Sequence, residues 1–205
     1  MQEAVRVLKE TPSQTAGPYV HIGLTPNAAD VAGVYDRDLG ATMLTPDTRG
    51  DRIRIVVRVF DGAGAAVTDA VVEIWQADTE GSYAAPMGPS SNSAPSFTGW
   101  GRQATDADGA VTFETVKPGR VIGPDDALMA PHVSLWIVAR GINIGLQTRL
   151  YFEDEAEANA GDTVLRQVPD ARRHTLISAK QAGVPNCHAF DIRLQGDAET
   201  VFFDV

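Results

Sequence analysis

The sequence predicts an all-β protein, a β-sandwich of mostly antiparallel strands with a few short helices and long loops. Segments of strand length are rich in β-branched and aromatic residues, turn-forming residues separate them, and only two stretches are rich in helix formers. Short strands with turn signals between them are typical of sandwiches. The predicted strands are 53–60, 71–77, 111–116, 132–139, 146–152, 190–194 and 200–203.

The connections between the predicted strands carry turn chemistry, and the strands differ in hydrophobic pattern. Asp61-Gly62 follows the first strand, and Lys117-Pro118-Gly119 follows the third. Arginine and isoleucine alternate over residues 52–55, which predicts one face in contact with water because successive side chains of a strand point to opposite faces. Residues 133–139 are almost all apolar, which predicts a strand covered on both sides.

Helices are predicted at 153–160, which is rich in helix formers and acids, and at 169–181, which opens with Pro169-Asp170. Residues 86–100 form a long loop without periodicity, which makes them a candidate interface segment. The stretch 10–23 contains proline, glycine and aromatic residues and is too stiff for a disordered tail. We therefore predict that residues 1–23 form an extended N-terminal arm that docks on a partner subunit.

Length and composition limit the class of protein. A chain of 205 residues fits one domain, 1–205. The net charge of -10 argues against nucleic acid and membrane surfaces as partners. Cys187 is the only cysteine, which excludes an intrachain disulfide, and the sequence shows neither a secretory signal nor a membrane-spanning stretch. We therefore expect a soluble, cytoplasmic protein.

The residues alone give little evidence for self-contained catalysis. The four histidines, at positions 21, 132, 174 and 188, lack the short spacings of metalloenzyme motifs. The sequence contains neither a phosphate-binding glycine loop after a strand nor a G-x-S-x-G motif. Any catalytic role must therefore be sought in a resemblance to known enzymes.

Several segments, taken in order, resemble one enzyme family. They are residues 11–19 (TPSQTAGPY), 73–78 (EIWQAD), 81–83 (GSY), 101–102 (GR), 115–119 (TVKPG) and 150–152 (LYF). Together they are similar to the intradiol ring-cleaving dioxygenases and span most of the chain. Within that family, residues 11–19, 129–132, 139–144 and 199–204 resemble the alpha chains, which are subunits that do not bind the iron.

The resemblance implies that the catalytic chains of this family hold a ferric ion with two tyrosines and two histidines. Tyr83 and His132 stand at the positions of the first tyrosine and the first histidine, whereas Val121 and Ser134 stand where the second ones would be. Ferric iron prefers anionic oxygen together with imidazole, which neither valine nor serine supplies. We therefore expect a vestigial iron site without metal in this chain and Fe(III) bound by a homologous beta subunit.

The resemblance also implies that this chain helps to form the substrate pocket of that beta subunit in a hetero-oligomer. Thr15, Gly17, Pro18 and Tyr19 would form an N-terminal lip of the pocket. Arg140, which closes an apolar strand, would offer its guanidinium to the carboxylate of the substrate, protocatechuate. Simpler interpretations stay open, since the lip could be an ordinary turn and Arg140 an exposed or ion-paired residue at a strand end.

The reaction implied for the assembly inserts both atoms of O₂ between the two hydroxylated ring carbons of 3,4-dihydroxybenzoate and yields 3-carboxy-cis,cis-muconate, in the beta-ketoadipate pathway of aromatic catabolism. Two other hypotheses are considered. The chain could be a stand-alone binding module for a small aromatic ligand or a sugar, without redox chemistry, or a self-sufficient dioxygenase with unusual ligands. The lip and Arg140 argue against the first, and the two missing ligand positions argue against the second.

Overall fold

A computed structural model of the chain describes residues 14–84, 96–123 and 126–204, without the side chain of Pro18. Eight strands form one mixed sheet in the order β3-β2-β5-β6-β7-β8-β1-β4. Neighbouring strands are antiparallel, except that β6 with β7 and β1 with β8 are parallel. The strands are β1 (Arg52–Phe60), β2 (Ala70–Trp75), β3 (Trp100–Ala104), β4 (Ala110–Val116), β5 (His132–Ala139), β6 (Leu146–Phe152), β7 (Ile177–Lys180) and β8 (Cys187–Arg193).

The sheet folds into two layers around one core, which confirms the predicted sandwich. β3, β2, β5 and β6 form one layer and β7, β8, β1 and β4 form the other, joined by a short pairing between β6 and β7. Apolar side chains of both layers meet in the core, among them Ile55 of β1, Ile74 of β2, Leu135 of β5 and Phe190 of β8. Burial of each such side chain contributes roughly 1.5–3 kcal/mol to folding.

The predicted strand patterns agree with the observed burial. In β1, the isoleucine and valine side chains at 53, 55, 57 and 59 are buried and the arginines at 52, 54 and 58 are exposed, as the alternation predicts. β5 is buried on both faces except at Ser134 and Trp136, which are partly exposed. These two residues therefore mark the place where the outer face of β5 is open.

Two strands that sequence reasoning missed are stabilised by tertiary pairing. Residues 86–100 were expected to be a loop, but Trp100 begins β3, a strand of mixed polarity that pairs with β2 and forms an edge of the sheet as far as the structure describes the chain. The predicted helix 169–181 is a 3₁₀ turn over Asp170–Leu176, and its last residues form β7. β7 pairs with β6 on one side and β8 on the other, and these ladders outweigh the helix propensity of the segment.

The ends of the chain also differ from the predictions. Residues 200–203 form no strand and make a single bridge from Phe203 to Gln147. The N-terminal segment is not extended throughout, because Pro18–Leu24 form a short helix, α1. The helix predicted at 153–160 is confirmed as a 3₁₀ turn, Glu153–Glu155, that continues into α2, Ala156–Gly161.

Some predictions concern residues outside the described ranges. These are the first part of the N-terminal arm, 1–13, and most of the predicted loop, 85–95. In the three described ranges, no helix has the length and apolar character needed to cross a bilayer.

Candidate functional site

The structure places the predicted site residues in two groups at opposite ends of β5. His132 begins the strand, with Ser134 two residues further on, and Arg140 follows its last residue, Ala139. A strand rises about 3.3 Å per residue, so His132 and Arg140 lie about 26 Å apart along it. The predicted vestigial iron site and the predicted substrate contacts are therefore separate places on this chain.

Tyr83 is held by a loop between β2 and β3 that folds on itself, which we call the Tyr83 loop (residues 76–84). The Oδ1 atom of Asp78 accepts hydrogen bonds from the backbone N–H groups of Glu80 and Ser82, both at 2.9 Å. The ring of Tyr83 meets that of Trp75 edge-on, with 6.3 Å between centroids. Tyr83 is thereby aimed at the outer face of the β2–β5 layer, although 45% of it stays exposed.

His132 is buried at the start of β5. Its Nδ1 donates a hydrogen bond of 2.8 Å to the carbonyl oxygen of Ala130, and its ring lies 5.8 Å from that of Tyr151, the cross-strand partner on β6. Burial lowers the pKa of His132, and the positive charge of Arg149 lowers it further, against the raising effects of the Ala130 hydrogen bond and Asp162. The imidazole is therefore neutral near pH 7.

Behind His132, the fully buried carboxylate of Asp162 organises the wall of the site. Its Oδ2 accepts a hydrogen bond from the backbone N–H of Ala130 at 2.8 Å. Its Oδ1 accepts from the Tyr151 hydroxyl at 3.1 Å and from the backbone N–H groups of Val164 and Leu165 at 3.0 and 2.8 Å. Burial raises the pKa of Tyr151, and the negative charge of Asp162 raises it further, so that this phenol stays protonated.

Val121 and Arg149 bring an apolar side chain and a positive charge to the four positions at which the resemblance implies iron ligands. Val121 is buried and packs with Ala77 and Met129. Arg149 lies on β6 directly opposite Ser134, and its Nη1 is 3.7 Å from the Met129 sulfur. A guanidinium therefore stands beside the four positions at which the resemblance implies iron ligands.

These residues do not fit a ferric ion. Burial raises the pKa of Tyr83, opposed by the charge of Arg149, and this disfavours the tyrosinate that ferric iron prefers. Val121 offers no donor atom, Ser134 offers a neutral hydroxyl, and the positive charge of Arg149 would repel a cation. His132 is the single imidazole among the four positions.

A cavity of about 370 Å³ opens at this place on the outer face of the sheet. Aromatic, aliphatic and polar side chains all line it. The residues that define it are Trp75, Tyr83, Trp100, Ser134, Trp136 and Gln147. Its size is at the lower end of the range for small-molecule sites, about 300–1,000 Å³.

At the other end of β5, the structure brings the N-terminal lip and Arg140 together. The Thr15 hydroxyl accepts a hydrogen bond of 2.8 Å from the backbone N–H of Gly141, next to Arg140. Arg140 forms an ion pair of 2.9 Å with Asp69, yet 78% of its side chain is exposed. Tyr19 is 82% exposed. This end of β5 therefore exposes a guanidinium and a phenol on the surface of the chain.

Gly17 and Pro18 also have a local place in the fold, at the start of α1. Gly17 precedes α1 with an extended backbone, and its carbonyl accepts the N–H of Val20 at 3.0 Å. A Cβ at Gly17 would meet nothing within 4 Å in this chain. Pro18 is the first residue of α1, a position that suits its fixed φ and its missing N–H.

Sequence reasoning missed Arg149, Tyr151 and Asp162. Arg149 and Tyr151 are two residues apart in a strand that was predicted, so they share one face of it. Pairing that strand with 132–139 would have placed them opposite Ser134 and His132. Asp162 follows α2 in an irregular connection, where no periodic signal indicates which side chains turn inward.

Comparison with known proteins agrees with this architecture. The sequence profile of the Dioxygenase family (Dioxygenase_C) matches residues 31–196. The chain is 45% identical over 205 residues to the protocatechuate 3,4-dioxygenase alpha chain of Pseudomonas putida, with 98% of each chain covered. It is 31% identical over 183 residues to the protocatechuate 3,4-dioxygenase beta chain of Burkholderia cepacia, with 82% of this chain and 75% of that one covered.

Solved structures agree in fold. The intradiol ring-cleavage dioxygenase from Tetranychus urticae matches 91% of this chain and 94% of its own length, with a TM-score of 0.57 at 17% identity. The profile match covers most of the sequence, and the match to the Pseudomonas putida alpha chain extends over nearly all of it. The chain therefore belongs to the intradiol dioxygenase family, in which it groups with the alpha chains of protocatechuate 3,4-dioxygenase.

Proposed function

We propose that this chain is the alpha, non-iron-binding subunit of a protocatechuate 3,4-dioxygenase. It joins a homologous beta subunit that binds Fe(III), and the assembly cleaves 3,4-dihydroxybenzoate with O₂ to 3-carboxy-cis,cis-muconate. This chain shapes the substrate pocket of the beta subunit. The buried free thiol of Cys187 is compatible with the reducing cytoplasm that belongs to the proposal.

The observation that carries the proposal is the separation between Arg140 and the chain's own vestigial site. The two lie at opposite ends of β5, about 26 Å apart, which is several times the reach of an arginine side chain. Arg140 cannot serve a substrate at His132 of the same chain. If it binds the substrate carboxylate, it does so in the pocket of another chain.

The exposure of Arg140 and the lip supports a role across an interface. Thr15 bonds the arm to Gly141, so the lip lies beside Arg140. Tyr19 is mostly exposed although it is aromatic, and such a side chain is commonly covered by a partner. The ion pair with Asp69 holds Arg140 in place and leaves its N–H groups accessible to a carboxylate.

The first test compares metal content with and without the partner. The chain purified alone should be colourless and free of bound iron, because Val121, Ser134 and Arg149 remove or oppose a ferric ligand set. Co-expression with its beta partner should give a coloured assembly, active in oxygen uptake, with iron in proportion to the beta chain. Stoichiometric iron and ring cleavage in the isolated chain would contradict the proposal.

The second test replaces Arg140 by alanine in the assembled enzyme. The Michaelis constant for protocatechuate should rise about 10-fold to 100-fold, the cost of losing a charge-assisted hydrogen bond of about 1.5–3 kcal/mol. The constant for catechol, which has no carboxylate, should change little. Steady-state oxygen uptake with the two substrates measures both effects.

Arg58→Ala is the matched control for Arg140→Ala. Arg58 also forms a partly exposed ion pair, with Asp191 at 2.7 Å, but it lies on β1 in the other layer. Its replacement should leave both Michaelis constants unchanged. Equal effects of Arg140→Ala on both substrates would show that Arg140 stabilises the interface and does not bind the carboxylate.

A further inference from the structure

We propose that the cavity on the outer face of β2 and β5 binds an uncharged phenol, that is, a single aromatic ring with a neutral hydroxyl group. The ring lies among the indole side chains of the cavity, and the hydroxyl bonds to Ser134 and Gln147. This site belongs to the present chain and is additional to the iron-bearing pocket proposed for the beta subunit.

The cavity exists because a small side chain stands among large ones on one face of the sheet. Ser134 of β5 lies directly opposite Trp75 of β2, and Trp136 follows two residues along the same face. Trp75 in turn lies opposite Trp100 of β3. Cβ atoms of opposite residues are about 4.5–5.5 Å apart, and residues i and i+2 of a strand are about 7 Å apart. The short side chain of Ser134 therefore leaves a hollow of about 370 Å³ among the indoles.

The aromatic lining suits a flat ring. All three tryptophans of the chain line the cavity, together with Tyr83. Trp75 is 54% exposed, which leaves much of its ring open to a ligand. Aromatic rings gain from edge-to-face and offset-stacked contacts in addition to the burial of apolar surface. The lining therefore favours an aromatic ring over an aliphatic ring of equal size.

The lining carries no uncompensated charge. Among the described residues that line the cavity, Glu73 alone is charged, and its carboxylate forms an ion pair of 2.6 Å with Arg102. The guanidinium of Arg102 also lies over the Trp100 ring, 4.9 Å from the centroid, and already supplies that ring with a cation. Arg149 is directed at the Met129 sulfur, at 3.7 Å, and does not line the cavity. A charged ligand would therefore lose hydration without gaining a counter-ion, which a neutral ligand avoids.

Two neutral side chains can bond to the hydroxyl of the ligand. Ser134 and Gln147 both line the cavity, the first partly exposed and the second exposed, and each side chain can donate and accept hydrogen bonds. Because Gln147 lies opposite Trp136, it is a diagonal neighbour of Ser134, roughly 7–8 Å away. One hydroxyl group between them can accept from the Gln147 amide and donate to the Ser134 hydroxyl.

The test is a fluorescence titration of the full chain with phenol at pH 7, where phenol is neutral because a phenolic hydroxyl ionises near pH 10. Since all three tryptophans line the cavity, their fluorescence reports on its occupancy. The change should saturate, with half-saturation at about 1 mM or below. Benzoate, benzylammonium and cyclohexanol, which are an anion, a cation and an aliphatic alcohol with rings of the same size, should each bind at least about 10-fold more weakly.

Substitutions at Ser134 test the location. Ser134→Leu fills the hollow and should abolish saturable phenol binding. Ser134→Ala keeps the space and should weaken binding about 2-fold to 10-fold, the effect of one lost hydrogen bond. The matched control is Thr112→Leu, a similar change at an exposed position of β4 in the other layer, which should bind phenol as the wild type does. Ser134→Ala and the three other ring compounds keep the test decisive if Ser134→Leu does not fold.

Three outcomes would overturn the inference. The first is tryptophan fluorescence without a saturable response to phenol. The second is binding of benzoate, benzylammonium or cyclohexanol as tight as that of phenol, and the third is wild-type phenol binding by Ser134→Leu. The titration requires neither iron nor a beta subunit, so its result is independent of the proposed function, which fails separately if the chain forms no complex with a beta subunit.

Discussion

Replacing Asp162 by alanine should lower the free energy of unfolding by about 3–5 kcal/mol, near the upper end of what single substitutions cause. The carboxylate is fully buried and accepts hydrogen bonds from the N–H groups of Ala130, Val164 and Leu165 and from the Tyr151 hydroxyl. Alanine would leave these donors without an acceptor in a place that water reaches poorly. Urea denaturation of the purified chain measures the loss.

Two further variants test whether the loss of stability comes from the hydrogen bonds of Asp162 or from the removal of an acidic side chain as such. Asp162→Asn keeps one acceptor oxygen and turns an amide donor toward another donor, so it should cost about 1–3 kcal/mol. Asp170→Ala removes an exposed carboxylate that pairs with Arg173 at 2.7 Å and should cost less than about 1 kcal/mol. A loss for Asp162→Ala as small as that for Asp170→Ala would show that the connection after α2 rearranges to supply new acceptors.

The effect of Asp162 should also extend to the vestigial site. Asp162 binds the N–H of Ala130, and the carbonyl of the same residue accepts the hydrogen bond from His132. The carboxylate thus holds Ala130 in the position from which its carbonyl orients His132. It also holds Tyr151, the cross-strand partner of His132. Loss of Asp162 should therefore loosen the surroundings of His132 as well as the fold.

Sequence predicts the strands whose apolar residues recur with the period of the faces that the fold buries. β1 and β5 carry apolar residues with the expected periodicity and lie within the sheet, between two neighbours each. β3 contains glycine, arginine and glutamine and is an edge strand, so its sequence lacks that signal. β7 has four residues whose pairing partners are distant in the chain, and only the assembled sheet makes it a strand.

The same contrast holds for the site. Tyr83, Val121, His132 and Ser134 could be named from motif positions, because the motifs around them indicate where the family's iron ligands would stand. Arg149 lies outside those motifs, and its importance comes from the register that sets it opposite Ser134. Sequence could therefore predict which iron-binding groups these four positions do not supply, whereas the structure was needed to find the cation beside them.

Replacing Gly81 by alanine should lower the free energy of unfolding by about 3 kcal/mol or more, because this glycine meets two independent constraints. Its φ of +81° lies in the left-handed region, which costs other residues about 1–2 kcal/mol. A Cβ on Gly81 would also lie 2.0 Å from the carbonyl oxygen of Arg120. That oxygen belongs to the backbone and cannot swing aside.

The contact matters because it joins the Tyr83 loop to the segment that carries Val121. The N–H of Gly119 donates to the carbonyl of Asp78 at 2.8 Å, and a Cβ on Gly119 would lie 2.5 Å from the carbonyl oxygen of Thr79. The two backbones approach so closely that glycine is required on both sides. Alanine at Gly81 must push them apart and break this hydrogen bond.

Gly183→Ala is the matched control for Gly81→Ala. Gly183 has nearly the same backbone conformation, with φ at +76°, but a Cβ there would meet nothing within 4 Å. Its replacement should cost only the conformational part, about 1–2 kcal/mol. The two variants should therefore differ in unfolding free energy, measured by urea denaturation, by the cost of the steric contact between residue 81 and the Arg120 carbonyl. Equal losses would mean that the Tyr83 loop can shift away from residues 119–121, and that Tyr83 and Val121 are not held together by backbone contact.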